Sequence, residues 1–435
     1  MRKIALLLSL LYAVSMIHAT SVYIDITKRN KQEIILDISL INRMRYFFKS
    51  DIDKKEAPLI IPNKDTFNKK ILLTIKQIQY KLEHKQMLLE YFSDKKYYYC
   101  LSATSKDIKL KRCGSITEID SLLRLNQISI NSKYYDKKLG LQIAERLLPE
   151  QLSKSLIILP CEGLYALSFD VLHDPETKDF LILRHDIEYA FSVASYFYCK
   201  PIDKKTNILG FFPNTDNTTL AKLNTKAEEQ ALSAMPDYRG FKDAAATKVI
   251  FTQQCSSASI LHIATHTLRD DFDTTQTNML FSSNNKDYKL STKEIQKLKL
   301  NTQLVTLASC SSNNAIKENK VSSDNLTWAF HAAGAHHILS SIGDAPDLSS
   351  SKIMCSFYIN IEAGLTEAEA LRLAKVTYLK NTDAMGAQPY FWSNYTLYGD
   401  QTNVLLSSKN NILFRVAIII GLVFCFSAFK IYRKG

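Results

Sequence analysis

The stretch that decides the fold contains two short apolar runs, Ser259-Ile-Leu-His-Ile-Ala-Thr-His266 and Gln303-Leu-Val-Thr-Leu-Ala-Ser-Cys310. Each run is rich in Ile, Leu and Val and stops at polar residues, which is typical of a buried strand in a parallel sheet. One run ends on a histidine and the other on a cysteine, 44 positions further along the chain. The sequence therefore predicts an α/β fold with a polar residue at the end of each strand.

A helix is predicted between the two runs, over Ser291-Thr-Lys-Glu-Ile-Gln-Lys-Leu-Lys-Leu300. Ser291 and Glu294 have the spacing of a capping box, and apolar residues follow at 295, 298 and 300. A strand, a helix and a strand in this order form a right-handed crossover that sets the two strands parallel. Ligands bind at the carboxyl edge of such sheets, so we expect His266 and Cys310 in one crevice.

The types of the two residues indicate nucleophilic catalysis. A free thiol has a pKa of about 8.5 and is a poor nucleophile at neutral pH. A neighbouring imidazole can accept the thiol proton and later protonate a leaving amine. The alternative from the residues alone is that His266 and Cys310 only end their strands, since cysteine is often a buried hydrophobic residue.

The two runs, read as ILHIATHT and LVTLASCSSN, resemble motifs of the CHAT family of caspase-like proteins. Further blocks resemble the family in the same order along the chain, and the resemblance covers roughly residues 86–402. It implies a caspase-like, mostly parallel sheet flanked by helices, preceded by a strand-rich lead-in that packs beside it. The additional blocks are Leu156–Leu172, Phe180–Ser192, Leu326–Ala335 and Pro389–Asp400.

The resemblance also implies roles for individual residues. His266 matches the catalytic histidine of the family and Cys310 its nucleophile, and the backbone N–H groups of Cys310 and Thr267 match the oxyanion hole. The sequence departs from the family at Thr267, where glycine is usual, and at Gly343, where tryptophan is usual. These departures bear on activity and leave the fold unaffected.

The implied function is that of a CHAT-domain cysteine endopeptidase, which hydrolyses a peptide bond through an acyl-thioenzyme. Its implied partners are a protein or peptide substrate and an activating protein. No metal or organic cofactor is implied. The alternative function is a catalytically inactive CHAT scaffold, whose crevice binds a partner protein.

A substrate pocket is expected beside the nucleophile, walled by the loops after the first core strand and after the cysteine strand. Asp170 and Asp324 lie in these two loops. A carboxylate in the pocket would favour Arg or Lys at the P1 position of the substrate. Asp324 is explained by an N-cap role, so the prediction rests on Asp170, for which the alternative is a solvated loop residue.

Both termini carry membrane signals. Met1 to Thr20 combines a basic start, a short apolar run and a small-residue exit, which is typical of a secretory signal peptide; an uncleaved anchor is the alternative. Ile412 to Phe429 is apolar except for Arg415, and basic residues follow it. The sequence predicts a protein of the bacterial envelope, with its main domain outside the cytoplasmic membrane and a single C-terminal anchor.

The segments between the termini differ in character. Phe67 to His84 has helical spacing, and three strand-like segments follow from Met87 to Cys113, with a hairpin turn at 104–107. Cys100 and Cys113 on the arms of this hairpin would form a disulfide in an oxidising compartment. The predicted organisation is a signal peptide (1–20), a helical N-terminal region (21–85), a strand-rich lead-in (86–150), a caspase-like domain (151–407) and a transmembrane helix (412–432).

Composition and motifs argue against other classes of function. The 435 residues are 46% hydrophobic, enough for a sizeable core, and the net charge of +12 comes from scattered basic residues, which does not indicate nucleic-acid binding. No GxGxxG or Walker pattern supports nucleotide binding. His262 and His266 would suit a metal on a helix, but on a strand they stand about 13 Å apart. No metal site is therefore predicted.

Overall fold

The structure, a computed structural model, describes residues 75–94, 96–199, 207–213, 223, 225–269, 277–282, 287–308, 326–343 and 346–404. The predicted signal peptide, most of the N-terminal helical region, Cys310, Asp324 and the predicted transmembrane helix lie outside these residues. Within the described ranges, no helix is long and apolar enough to cross a bilayer.

Fourteen strands are found in the described part of the chain. They form one sheet of eleven strands and a second sheet of three strands. Their bounds are β1 Gln86–Ser93, β2 Tyr97–Ala103, β3 Ile108–Ser115, β4 Ser155–Leu159, β5 Asp186–Tyr189, β6 Ile208–Phe212, β7 Tyr238–Lys242, β8 Ile260–Ile263, β9 Thr267–Arg269, β10 Thr277–Leu280, β11 Lys289–Ser291, β12 Leu304–Leu307, β13 His337–Ser341 and β14 Tyr395–Tyr398.

The large sheet contains two sets of parallel strands, one in each half, that run in opposite directions, and the antiparallel hairpin of β2 and β3 extends one of them. Its strand order is β3-β2-β1-β4-β5-β14-β13-β12-β8-β6-β7. Strands β1, β4, β5 and β14 are mutually parallel, and so are β13, β12, β8, β6 and β7. The halves meet where β13 pairs antiparallel with β14. The sheet is therefore mostly parallel, as predicted, but the carboxyl ends of its two halves lie at opposite edges.

Helices cover both faces of this sheet. Their bounds are α1 Ile75–Lys81, α2 Ile116–Asn131, α3 Lys137–Leu147, α4 Val193–Phe197, α5 Lys226–Ser233, α6 Lys248–Gln254, α7 Thr292–Ile295, α8 Leu326–Ala333, α9 Asp347–Glu362 and α10 Glu367–Lys380. Single 3₁₀ turns occur at Glu162–Ala166, Phe169–Val171, Leu181–Leu183, Asp243–Ala245, Cys255–Ser257 and Pro389–Phe391.

The alternation of side chains along the central strands explains why both faces need cover. Ile260 of β8 and Leu304 of β12 pack with α5, α9 and α10 on one face. Leu261 and Val305, one position further along each strand, pack with α6, α7 and α8 on the other. All four side chains are fully buried, as the continuous apolar runs in the sequence predict.

The predicted lead-in strands are confirmed as β1 to β3. The hairpin turn is also confirmed, with Thr104 N–H bonded to the carbonyl of Asp107 at 2.9 Å. Strand β1 pairs in parallel with β4, so the lead-in extends the central sheet and is not a separate layer beside it. Cys100 and Cys113 are buried free thiols and are not cross-strand partners: Cys100 lies opposite Lys111, and Cys113 has no partner where the register shifts between Tyr98 and Tyr99.

Three local expectations differ from the structure. The predicted helix over 291–300 is a single α-helical turn, α7, which tightens into i→i+3 bonds such as Lys297 N to Glu294 O. The stretch from Phe391 to Tyr398 predicts a closing strand, but the observed strand β14 is shorter, because Pro389–Phe391 forms a 3₁₀ turn before it. The residues from Ile116 to Leu125 predict a helix, and the observed helix α2 extends six residues further, to Asn131.

Candidate active site

His266 lies just beyond the carboxyl end of β8. The chain is fully buried through Thr265 and becomes half-buried at His266. Here it passes from the large sheet into the small one: the Thr265 hydroxyl donates to the carbonyl of Leu280, and Leu280 N–H donates to the carbonyl of His266 at 3.0 Å. The backbone of His266 is thus held by the start of the small sheet.

The strand that leads to Cys310 lies directly beside β8. Strands β12 and β8 are parallel neighbours, with Leu304 opposite Ile260 and Leu307 opposite Ile263. The contact continues one residue further, where Ala308 N–H donates to the carbonyl of Ile263 at 3.0 Å. The expected adjacency of the two strands is confirmed. The side-chain geometry of the dyad stays a prediction, because Cys310 lies outside the described residues.

Thr267, the residue proposed to share the oxyanion hole, opens the short strand β9. It lies opposite Met279 in the antiparallel pair of β9 with β10. Its backbone conformation is therefore set by the small sheet, directly after the histidine. The oxyanion-hole assignment to Thr267 and Cys310 stays a prediction, since it depends on a residue beyond the described ranges.

Asp170 is buried in a 3₁₀ turn and forms an ion pair with Lys375 of α10. The Lys375 ammonium also donates to the carbonyl of Tyr395 at 2.6 Å, and Tyr395 lies opposite Ser341 at the end of β13. Burial raises the pKa of Asp170, and Lys375 offsets part of that rise. The ion pair accounts for this carboxylate without a substrate, and we propose no P1 preference from it.

A buried polar group beneath the His266 edge was not predicted from the sequence. It consists of Glu228, His262, Thr306 and Tyr358, which we call the core polar chain. His262 Nε2 lies 3.3 Å from a Glu228 oxygen, and His262 Nδ1 lies 2.8 Å from the Tyr358 hydroxyl. That hydroxyl donates to Thr306 Oγ1 at 2.9 Å. The only sequence signal was a histidine within the apolar run of β8, since its partners lie far away in the chain.

A second buried polar group, the basal cluster, lies at the opposite edge of the large sheet. It consists of Glu188, His336, His337, Glu367 and Asp400, all at most 9% exposed. His337 Nε2 lies 3.2 Å from a Glu188 oxygen and its Nδ1 lies 3.9 Å from a Glu367 oxygen, while His336 Nδ1 lies 2.7 Å from an Asp400 oxygen. The sequence pattern predicts no site role for these two histidines.

The pKa values in the basal cluster show which charges it holds. Burial alone would lower the pKa of His337, but Glu367, Glu188 and Asp400 raise it to about 10. Burial raises the pKa of Glu188. Burial also acts to raise the pKa of Asp400, but the bond to His336, the charges of His337 and His336 and the bond from Thr402 together lower it. At neutral pH the cluster therefore contains a buried imidazolium. Among the described residues, no group of three or more His, Cys, Asp or Glu side chains has an arrangement that could hold a metal.

Comparisons with known proteins place the chain in a broader context. A family model described as "CHAT domain" matches residues 136–400. None of the curated proteins matches the sequence.

The chain is also similar, at low sequence identity, to several solved structures. The complex of Porphyromonas gingivalis RgpB pro- and mature domains is 10% identical, with a TM-score of 0.42 over 66% of this chain and 70% of that one. The Saccharomyces cerevisiae separase–securin complex is 13% identical, with a TM-score of 0.40 over 88% of this chain and 26% of that one. Similarities this distant carry no argument about substrate or activity.

Proposed function

The chain belongs to the CHAT domain family, and from this premise we propose that it is a cysteine endopeptidase with a His266–Cys310 dyad. The observation that carries the proposal is the register of the two strands, in which residues 304–307 lie opposite 260–263. His266 and Cys310 each follow the last paired residue of their strand, Ile263 or Leu307, by three positions, and we propose that both reach the same edge of the sheet. Up to Ala264 and Ala308, alternate described residues of the two strands share one apolar face with Ile260 and Leu304.

The proposed reaction has two stages. His266 accepts the proton of the Cys310 thiol, and the thiolate sulfur attacks the scissile carbonyl. The backbone N–H groups of Thr267 and Cys310 donate to the oxyanion. His266 then protonates the leaving amine, and water hydrolyses the acyl-thioenzyme to release the acid and free the thiol.

We further propose that the domain is tethered to a membrane. The apolar segment at 412–432 supports this proposal, with the basic residues after Phe429 facing the cytoplasm. The signal-like segment at 1–20 supports export of the main domain in a bacterial envelope. Protease added to intact spheroplasts should then digest the main domain, and full protection of that domain would refute the topology.

The test of activity uses the full-length chain in a mild detergent. We expect it to cleave members of a peptide library, and we expect iodoacetamide to alkylate Cys310 at neutral pH faster than an ordinary thiol. Cys310→Ala should abolish cleavage, and His266→Ala should slow both reactions. Cys161→Ala, which removes a half-buried thiol beyond β4, is the matched control and should leave both unchanged.

The two readouts separate the endopeptidase from the scaffold. A scaffold would show no cleavage, and the alkylation rate of its Cys310 would not depend on His266. An endopeptidase that requires an activating protein would still show the His266-dependent alkylation. Cleavage by the Cys310→Ala variant would exclude the proposed mechanism altogether.

A further inference from the structure

The core polar chain lies on one face of the central sheet, directly below the His266 edge. His262 and Thr306 are register partners on β8 and β12, and each lies four residues before a member of the dyad. Tyr358 reaches both from α9, with one contact of 2.8 Å and one of 2.9 Å. Glu228 approaches His262 from α5. The core polar chain therefore connects strands β8 and β12 with helices α5 and α9, on one face of the sheet.

These side chains occupy an otherwise apolar part of the core. His262 and Thr306 are fully buried, and Tyr358 is 1% exposed. Their neighbours on this face include Ile260, Leu304 and other apolar residues. Burying polar groups costs free energy even when they are paired, and apolar residues of similar volume often give an equally stable core. A general contribution to stability does not by itself explain why these four buried side chains are polar.

The donor and acceptor pattern ties the two strands in one register. Because the Tyr358 hydroxyl donates to Thr306, its oxygen is left to accept from Nδ1–H of His262. Both contacts require residues 262 and 306 to lie side by side on the same face. A slip of one position would turn one of these side chains to the other face and break a contact.

We propose that the core polar chain positions His266 against Cys310, with Tyr358 and His262 as positioning residues. The inference rests on the proposed dyad. The Tyr358 hydroxyl ties β8 to β12 at His262 and Thr306, four residues before each member of the proposed dyad. Dyad chemistry depends on such placement, because a misplacement of about 1 Å costs roughly 100-fold in rate.

The test replaces Tyr358 by Phe, which removes the hydroxyl and keeps the ring. Tyr98→Phe is the matched control: the Tyr98 hydroxyl is bonded to Asp120 at 2.8 Å, and this buried tyrosine lies on β2 in the other half of the sheet. The rate constant for alkylation of Cys310 by iodoacetamide is followed against pH in the full-length protein, by mass spectrometry of the Cys310 peptide. Thermal unfolding is measured in parallel.

We expect Tyr358→Phe to lower the alkylation rate constant at neutral pH by about 10-fold or more and to shift its pH profile towards that of a free thiol. Any peptide cleavage should lose kcat while KM is kept. Tyr98→Phe should lose comparable thermal stability with the alkylation profile unchanged. Thr306→Val removes the other hydroxyl at nearly constant volume, and it decides the question if Tyr358→Phe does not fold.

The outcomes distinguish this inference from the proposed function. If His266→Ala slows alkylation while Tyr358→Phe and Thr306→Val behave like Tyr98→Phe, the dyad stands and the positioning role is overturned. If His266→Ala leaves alkylation of Cys310 unchanged, both the dyad and the positioning role are overturned.

Discussion

The two edges of the large sheet use histidine in opposite ways. At one edge His266 follows the carboxyl end of β8 and is half-buried. At the other edge His337 begins β13 and is 1% exposed, between Glu188 and Glu367. A general base must reach its substrate and exchange its proton near neutral pH. Position at a strand end does not distinguish the two residues, whereas the degree of burial does.

The basal cluster instead anchors the segment that follows β14. Glu367 begins α10, faces His337 and accepts from the N–H of Val404. Asp400 bonds His336 at 2.7 Å and accepts from the N–H of Thr402 at 2.8 Å. The segment after β14 is therefore held against β13 and α10, at the edge away from His266.

The sharpest test of this comparison replaces each of the two histidines in turn. We expect His266→Ala to reduce peptide hydrolysis by about 100- to 10,000-fold, as for the loss of a general base, with little change in unfolding free energy. His337→Gln should instead lower the unfolding free energy by about 3–5 kcal/mol, because it leaves buried carboxylates without their cation. Hydrolysis assays and urea denaturation measure the two effects. A stable but inactive His337→Gln variant would contradict the division.

Removing the partner of a buried charge at the His266 edge should destabilise the protein, as it should in the basal cluster. Lys375→Met leaves the Asp170 carboxylate buried and unpaired, so we expect a loss of about 3–5 kcal/mol in unfolding free energy. The double variant with Asp170→Leu should recover part of that loss, since no charge then remains unpaired. Urea denaturation of both single variants and of the double variant measures this difference. A loss in the double variant equal to the sum of the two single losses would show that the pair is not coupled.

Much of the local structure could be predicted from the sequence, because its signals are local. The apolar runs of β8 and β12 and the capping box of Ser291 with Glu294 are confirmed. Helix α3 was missed, although its N-cap Asp136 accepts from the N–H of Lys138 as a capping residue should. Its apolar stripe is interrupted by Gly140, which weakens the pattern.

The arrangement of the strands could not be predicted in the same way. The antiparallel contact of β13 with β14, which divides the sheet into two halves, depends on pairing between distant segments. The partner of Asp170 is 205 positions away, and the partner of His262 is 96 positions away. A solvated loop aspartate and a buried, paired one have the same local sequence. Only the fold distinguishes them.

The pH dependence of the unfolding free energy tests the role of His337 in the basal cluster through a smaller expected effect. The pKa of His337 is raised from 6.5 to about 10. Its contribution to the unfolding free energy is therefore fully present below pH 6.5 and is lost as the pH rises to about 10. Each proton that the native state holds in excess lowers the unfolding free energy by about 1.4 kcal/mol per pH unit over that window. Buried thiols and tyrosines add to the same trend. The difference between wild type and His337→Gln, measured by urea denaturation from pH 7 to 10, isolates the histidine.

The smallest expected effects come from two capping boxes, one on each side of the comparison. Ser291 and Glu294 cap α7, between the two site strands, and Thr366 and Glu369 cap α10, beside the basal cluster. Ser291→Ala and Thr366→Ala remove the same bond to the N3 amide, so each should cost about 1 kcal/mol of unfolding free energy. The location of the effect should differ.

Hydrogen exchange locates the two effects. Because α7 is a single turn, Ser291→Ala should free the amides of residues 292–298 while the rest of the chain keeps its protection. Helix α10 has fourteen residues and is fixed by the ion pairs of Arg372 with Asp186 and of Lys375 with Asp170. Thr366→Ala should therefore expose only the first turn of α10. If Ser291→Ala loosened α10 as well, the two helices would unfold as one unit, and the contrast between a locally adjustable α7 and a fixed α10 would be wrong.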